Sequence, residues 1–200
     1  MYKNREIFAV GDSLTWGYPY GPDDSWTAMV ERELAYPVIN LGLNGATTDD
    51  MRRELINILP DVEPRSVVII TGGANDAYNL VSPAKSLRHY QDMVERILIA
   101  RCLPVIGLTG PINDEPFQTR LLEFRALMRD HLGEMLAPVT RQWGAQLSGH
   151  GPVIDFFSAL VAADGRSLLP DLASGDCHPN RAGYAKMGET AVAALRQIVK

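Results

Sequence analysis

Five runs of consecutive apolar residues recur along the chain, and between them apolar residues return at the three- and four-residue spacing of helices. The runs predict strands at 7–10, 38–41, 66–71, 104–110 and 153–157. Strands that are apolar throughout, rather than alternately apolar and polar, are typical of a parallel sheet with helices packed on both faces. The pattern therefore predicts an α/β fold, a three-layer α/β/α sandwich around a five-stranded parallel sheet.

The intervening segments predict helices whose ends are marked by capping residues and prolines. These helices begin at or just after the following residues: Ser25, Thr48, Ser82, Phe117 and Asn180. Ser25 and Thr48 are suited to N-caps because a hydroxyl accepts a hydrogen bond from the free N–H groups of a first turn. The helix from about 117 to 143 is expected to be interrupted near Pro138, since proline has no N–H to donate.

Composition and charge narrow the classes of protein to consider. The chain has 200 residues, 46% of them hydrophobic, which suffices for one core, so one domain over residues 1–200 is expected. A net charge of −5 without any basic run argues against nucleic acid as a partner. No apolar run reaches the length of a membrane span.

The start of the chain and its cysteines bear on where the protein is found. Met1–Glu6 leads directly into the first predicted strand and leaves no room for the apolar segment of a signal peptide. The two cysteines, Cys102 and Cys177, do not indicate a disulfide framework. We therefore expect a cytoplasmic protein, and these features say nothing about its oligomeric state.

Candidate chemistry is concentrated where the predicted strands end. Glycine, asparagine, serine and aspartate cluster after three strands and again before the last helix, at 11–14, 40–45, 72–76 and 175–180. The carboxyl ends of parallel strands share one edge of the sheet, so the first three clusters should converge there. A ligand or substrate site is therefore expected at this edge.

The residue types in these clusters indicate acyl chemistry. Ser13 is a candidate nucleophile, provided that a base and an oxyanion site accompany it. His178 can serve as the base if a nearby carboxylate fixes its tautomer. Glycine N–H groups and the side-chain amide of Asn75 are donors of the kind that a developing oxyanion needs.

The four clusters, in this order, resemble the motifs of the SGNH or GDSL-type hydrolase family, and the resemblance spans nearly the whole chain. It implies a flavodoxin-like esterase or lipase that uses no cofactor and acts on a small ester. Ser13 resembles the nucleophile of the family, whose backbone N–H also contributes to the oxyanion hole. His178 resembles the catalytic base.

The same resemblance implies two further oxyanion donors. In Gly73-Ala74-Asn75-Asp76, the donor would be the side-chain amide of Asn75. In the second cluster, the donor would be the N–H of Gly45, which follows Asn40 by five residues, with Gly42 as the less favoured alternative.

The acid of the triad departs from the family pattern. The family usually places it three residues before the histidine, where this chain has Gly175. Asp176, two residues before His178, is the preferred candidate, with Asp171 and a backbone carbonyl as the alternatives. An acid that misses Nδ1–H of the histidine would leave the wrong tautomer available and slow the reaction.

Other functions are less well supported by the motifs. Cys177 and His178 could suggest a metal site, but adjacent residues seldom bind one ion tetrahedrally and no second Cys/His pair exists, so no metal is expected. A flavodoxin-like module that binds a small ligand is conceivable, although both phosphate-binding glycine motifs are absent. A carbohydrate O-deacetylase, a lysophospholipase-type acyl hydrolase or an acyl transferase would share these motifs, because loops decide the substrate.

Several side chains near the predicted site have no assigned chemistry. Trp16 and Tyr78, together with Tyr18 and Tyr20, either line a substrate pocket or simply pack. The remaining acidic and imidazole side chains are expected to have structural roles only. Asp12 and Asp76 are expected to hold loops through backbone hydrogen bonds, His89 to lie on a helix outside any motif, and Asp155 receives no role.

Overall fold

The protein is built around a parallel sheet, and the computed structural model describes residues 6–147, 151–175 and 177–199. The strands are β1 (Ile7–Gly11), β2 (Val38–Gly42), β3 (Val67–Thr71), β4 (Leu103–Leu108) and β5 (Val153–Asp155). They lie in the order β2-β1-β3-β4-β5, and every neighbouring pair is parallel. This is the flavodoxin-like order, so the predicted five-stranded parallel sheet is confirmed.

Eight described α-helices connect and cover the strands. They are α1 (Ser13–Trp16), α2 (Trp26–Leu34), α3 (Thr48–Ile58), α4 (Ala74–Tyr78), α5 (Pro83–Ile99), α6 (Phe117–Leu147), α7 (Phe156–Leu160) and α8 (Arg181–Leu195). Helices α2, α7 and α8 pack together, as do α3, α5 and α6. The chain moves from β1 out to β2 and back past β1 to β3, so right-handed crossovers put these two groups on opposite faces of the sheet.

The core lies on both faces of the three central strands. Every residue of β1, β3 and β4 is buried, and the largest fully buried side chains are Trp26, Tyr90 and Tyr184. All of β2 is only half-buried, although the sequence predicted a buried strand. The reason is its place at the edge of the sheet, where one side has no neighbouring strand. None of the described helices has the length and hydrophobicity of a membrane-spanning helix.

Helix boundaries follow the predicted capping chemistry with local differences. Ser25 caps α2 as predicted, its hydroxyl accepting from the N–H of Thr27. The cap of α3 is Thr47, which forms a reciprocal capping box with Asp50. Thr48 is therefore the first residue of the helix, and its hydroxyl is available for a tertiary contact.

Two predicted boundaries near the end of the chain are wrong. Helix α6 continues through Pro138 without the expected interruption. Strand β5 ends at Asp155, and Phe156 already belongs to α7 because the Asp155 carboxylate accepts from the N–H of Ser158 and caps that helix. Helices α1 and α4 were not predicted, since each has at most five residues and no apolar periodicity.

Candidate active site

Ser13 lies where β1 meets α1, at the point where the strand order reverses direction. The sheet places β2 on one side of β1 and β3 on the other, and ligands of open α/β sheets bind outside the strand ends at such a point. Asp12 caps α1, its Oδ1 accepting from the N–H of Leu14 at 2.9 Å. The N–H of Ser13 itself makes no hydrogen bond within the described residues.

His178 approaches Ser13 from a segment 165 residues later in the chain. Its Nε2 lies 3.0 Å from Ser13 Oγ, which is hydrogen-bonding distance. The ring of Tyr18 packs against the imidazole, with 4.7 Å between the ring centroids and an angle of 53° between the ring planes. Asn180, two residues after His178, caps α8. Its side-chain amide also donates to the carbonyl oxygens of Asp171 and Ala173 at 2.9 and 3.1 Å. These bonds hold the 171–173 segment against the start of α8, next to His178.

The Nδ1 side of His178 is the part of the site that bears on the acid. Asp176, the preferred candidate, lies outside the described residues. The side chain of Cys177 is partly buried, and its Sγ lies 3.4 Å from Nδ1. Asp171 is exposed, and its carboxylate makes no hydrogen bond to any residue that the structure describes. Asp176 stays the preferred prediction for the acid.

Gly45 and Gly42 differ in ways that separate the two candidate donors. Gly45 has a φ of 81°, a Cβ there would meet nothing within 4 Å, and its N–H makes no hydrogen bond within the described chain. The N–H of Gly42 already donates to Asn40 Oδ1 at 2.9 Å. A Cβ on Gly42 would lie 2.1 Å from the backbone nitrogen of Trp16, so this glycine permits close packing of β2 on α1. Gly45 is therefore the better oxyanion candidate.

Asn75 lies in the first turn of α4, directly after the end of β3. Its Nδ2 donates to the carbonyl oxygen of Ala46 at 3.0 Å, which joins it to the loop that carries Gly45. An amide nitrogen has two hydrogens, so one remains for a ligand. Gly73 precedes the helix with a φ of 121°, and a Cβ there would lie 2.5 Å from the ring of Phe124. The turn that presents Asn75 thus requires glycine.

Asn40 has a supporting position that the sequence did not reveal. Its Nδ2 donates to the carbonyl oxygen of Thr15 at 2.7 Å and to the hydroxyl of Thr27 at 2.9 Å. Ser25 Oγ donates to the same carbonyl at 2.7 Å. These bonds hold α1, and with it Ser13, against β2 and α2. The sequence placed Asn40 in the second cluster and gave no other sign of this supporting position.

The aromatic candidates occupy different positions at the site. Tyr78 packs on Phe117 with 4.7 Å between ring centroids. Burial, with smaller contributions from the neighbouring Cys177 thiol and Asp114 carboxyl, raises the pKa of Tyr78 well above its usual value. Trp16 is half-buried in α1. Tyr184, which the sequence did not single out, donates to the carbonyl oxygen of Tyr18 at 2.7 Å.

Asp155 belongs to a separate structural cluster. Arg125 donates to both of its carboxylate oxygens at 3.0 Å, and the guanidinium lies 4.1 Å from the ring centroid of Phe157. Although burial raises the pKa of Asp155, the hydrogen bonds from Arg125 and Ser158 hold it below its usual value. Among the described residues, no group of three or more His, Cys, Asp or Glu side chains could hold a metal ion.

Asp12 is the buried titratable group beneath the nucleophile. Burial, with a smaller contribution from the negative charge of Asp76, raises the pKa of Asp12 from 3.8 to about 7 against the opposing hydrogen bond from the N–H of Leu14. Its side chain is 1% exposed, and Oδ2 has no hydrogen-bond partner within the described residues. The protonated carboxyl is therefore favoured below neutral pH.

Replacing Asp12 with asparagine is expected to change how stability depends on pH. Below its unfolded pKa, a carboxyl whose pKa rises on folding does not lower the free energy of unfolding. As the pH rises from there to the folded pKa of about 7, the free energy of unfolding falls. The full loss is at most about 4 kcal/mol. Asp12→Asn keeps an oxygen for the Leu14 N–H and should flatten this fall. Denaturant unfolding at pH 5 and pH 8 measures it, and an equally steep fall in the variant would contradict the prediction.

Comparison with known proteins bears on the whole chain. The model of the GDSL-like lipase/acylhydrolase family matches residues 9–186, a range that contains all four clusters. A search of curated proteins found no match to this sequence.

Solved structures of similar proteins share the fold over nearly their whole length. A protein of the lipolytic G-D-S-L family from Desulfitobacterium hafniense DCB-2 is 27% identical, with a TM-score of 0.76, covering 96% of this chain and 100% of that one. A member of the same family from Veillonella parvula DSM 2008 is 20% identical, with a TM-score of 0.79 and coverages of 96% and 99%. The lipase/acylhydrolase from Enterococcus faecalis is 22% identical, with a TM-score of 0.65 and 98% of each chain covered.

Proposed function

Because the chain belongs to the GDSL-like lipase/acylhydrolase family, we propose that it is a serine esterase that hydrolyses carboxylic esters with a small acyl group. The observation that carries the proposal is the 3.0 Å contact between Ser13 Oγ and His178 Nε2. A serine hydroxyl is a weak nucleophile near neutral pH, and an adjacent imidazole that accepts its proton activates it. The family membership and this contact support the same chemistry independently.

The first half of the reaction forms an acyl-enzyme. His178 Nε2 takes the proton from Ser13 Oγ as the oxygen attacks the ester carbonyl carbon, and a tetrahedral intermediate forms. The N–H groups of Ser13 and Gly45 and the side-chain amide of Asn75 donate to the oxyanion. The imidazolium then gives its proton to the leaving alcohol, which departs as the carbonyl re-forms.

The second half of the reaction releases the acid. A water molecule gives a proton to His178 Nε2 and attacks the acyl carbon, and the intermediate collapses with return of the proton to Ser13 Oγ. Asp176 is the proposed acid that holds Nδ1–H and keeps Nε2 free to accept. This mechanism requires no metal and no cofactor.

Covalent labelling tests the proposed nucleophile directly. An organophosphate should abolish turnover of p-nitrophenyl acetate and add one phosphoryl group, which peptide mass spectrometry would locate on Ser13. Labelling elsewhere, or full activity after complete labelling of Ser13, would refute the proposal. A panel of p-nitrophenyl esters with increasing chain length, together with acetylated sugars, then separates a short-chain esterase from an O-deacetylase or a lysophospholipase-type enzyme.

Removing the amide of Asn75 tests the oxyanion hole. Asn75→Ala should lower kcat by roughly 10²- to 10³-fold with little change in KM, because the donor acts on the charge of the transition state. Asn79→Ala is the matched control, since this exposed asparagine lies in the same turn and donates to the Asn75 backbone carbonyl at 2.7 Å. Equal losses in the two variants would contradict the assignment.

A further inference from the structure

Two oxyanion candidates, Gly45 and Asn75, lie on separate segments that must be held at a defined spacing. The Asn75 side chain makes one bridge between the segments through its bond to the Ala46 carbonyl. A second bridge lies next to it, between Asp76, which follows Asn75, and Thr48 at the start of α3. The N–H and the hydroxyl of Thr48 donate to the two carboxylate oxygens of Asp76, the N–H to Oδ2 at 2.7 Å.

Two side chains of helix α5 contact this second bridge. Ser86 Oγ donates to Asp76 Oδ1 at 2.6 Å, and His89 Nδ1 lies 2.8 Å from Thr48 Oγ1. A carboxylate only accepts, so the single hydroxyl hydrogen of Thr48 goes to Asp76, and Thr48 Oγ1 must accept from His89. The proton of the neutral His89 ring is therefore on Nδ1.

The hydroxyl and carboxylate groups of this bridge are buried. Thr48 is 0% exposed, Ser86 1% and Asp76 3%. Burial lowers the pKa of His89, although the carboxylates of Asp49 and Asp76 oppose the effect, so the neutral ring that donates to Thr48 prevails at neutral pH. Hydrogen bonds in such surroundings are strong and directional, which favours one fixed spacing of the segments that they join.

We propose that Thr48, Asp76 and His89 are positioning residues for the oxyanion hole, with His89 acting through Thr48 on the Asp76 turn that presents Asn75. The inference rests on the proposed function, since it assigns these residues to the spacing of the Gly45 and Asn75 donors. None of the three contacts the reacting atoms. An oxyanion hole stabilises the transition state only when its donors are already in place, so an error in spacing lowers the rate rather than substrate binding.

The test compares variants that break the chain of hydrogen bonds at two points. Thr48→Val removes the hydroxyl and keeps the shape and the N–H, while His89→Leu removes the donor to Thr48. Each should lower kcat about ten- to hundredfold at an unchanged KM. His89→Asn should keep most of the rate that His89→Leu loses. The asparagine amide nitrogen is the same number of bonds from Cβ as the histidine Nδ1, so it can replace the donor to Thr48. Thr109→Val is the control, a buried threonine whose hydroxyl has no partner among the described residues.

A transition-state analogue separates positioning from general damage to the fold. An aryl boronic acid, which forms a tetrahedral adduct with a serine, should bind the Thr48→Val and His89→Leu variants about tenfold or more weakly, while a substrate-like amide should bind them as it binds the parent. Equal weakening of both ligands, or a rate loss that only follows a lowered Tm, would overturn the proposal.

A double variant connects the positioning residues to Asn75. If Thr48 acts through Asn75, Thr48→Val should cost little once Asn75→Ala has been made, whereas independent effects would multiply. An inactive parent would refute the proposed function itself, and an Asn75→Ala variant with full activity would refute the oxyanion role of Asn75, on which the positioning role rests. A strong effect of Asn75→Ala beside neutral Thr48→Val and His89→Leu variants would refute only the positioning role.

Discussion

Replacing Ser13 with alanine is expected to lower esterase turnover by about 10⁴-fold or more, to near the rate that binding and the oxyanion hole alone sustain. The reason is that the hydroxyl removed is the one that lies 3.0 Å from His178 Nε2, the proposed base. The small residue should leave the fold intact, because Asp12 continues to cap α1 through the N–H of Leu14. Turnover of p-nitrophenyl acetate and organophosphate labelling are the measurements.

The control for Ser13→Ala is a serine whose hydroxyl has a partner outside the proposed site. Ser167 donates to Asp164 in the loop after α7, and Ser167→Ala should retain parental turnover and labelling. A Tm for Ser13→Ala within a few degrees of the parent would show that lost activity is chemical. Retention of parental turnover by Ser13→Ala would eliminate the proposed nucleophile.

Replacing Asp176 with asparagine is expected to lower kcat by up to about 10⁴-fold. An asparagine at the position of the acid would lack the negative charge that stabilises the imidazolium and would favour the wrong tautomer of His178, with the proton on Nε2. The spacing of two residues between Asp176 and His178 makes this the most informative variant for the triad. Steady-state kinetics over a range of pH is the measurement, since the loss should persist at every pH.

Asp171→Asn is the matched control, because Asp171 was the other candidate acid and contributes its backbone carbonyl to Asn180. It should keep kcat within about twofold, as expected of an exposed carboxylate outside the reaction. A severe loss in Asp171→Asn with parental activity in Asp176→Asn would reverse the assignment. Parental activity in both would favour a backbone carbonyl as the group that orients His178.

Asp171 and Asp176 illustrate why the acid of the site is difficult to predict from the sequence. The order of the motifs places both near His178, and which of them reaches Nδ1 depends on the path of a few loop residues. Glycine donors present a comparable case. Gly42 and Gly45 lie in one cluster, and they are distinguished only because Asn40 takes the N–H of Gly42 and α1 packs against it.

Local chemistry predicted the architecture, and together with the family resemblance it predicted the composition of the candidate site. Apolar runs such as Val67–Thr71 predicted buried parallel strands, because both faces of such a strand need cover. The clusters that include Ser13 and Asn75 follow strands, and all parallel strands end at one edge, so their convergence followed from topology. Hydroxyl caps such as Ser25 depend only on neighbouring backbone groups and were likewise predictable.

Long-range contacts decided the features of the fold and the candidate site that the sequence did not predict. Such contacts join residues whose separation in the chain carries no periodic signal. The half-buried state of β2 follows from its place at the edge of the sheet. The partners of Thr48 are Asp76 and His89, 28 and 41 residues away, and no pattern near any of the three predicts the others. His89 belonged to no motif, and only the packing of α5 behind the Asn75 turn brings it into the hydrogen-bond network next to the proposed oxyanion hole.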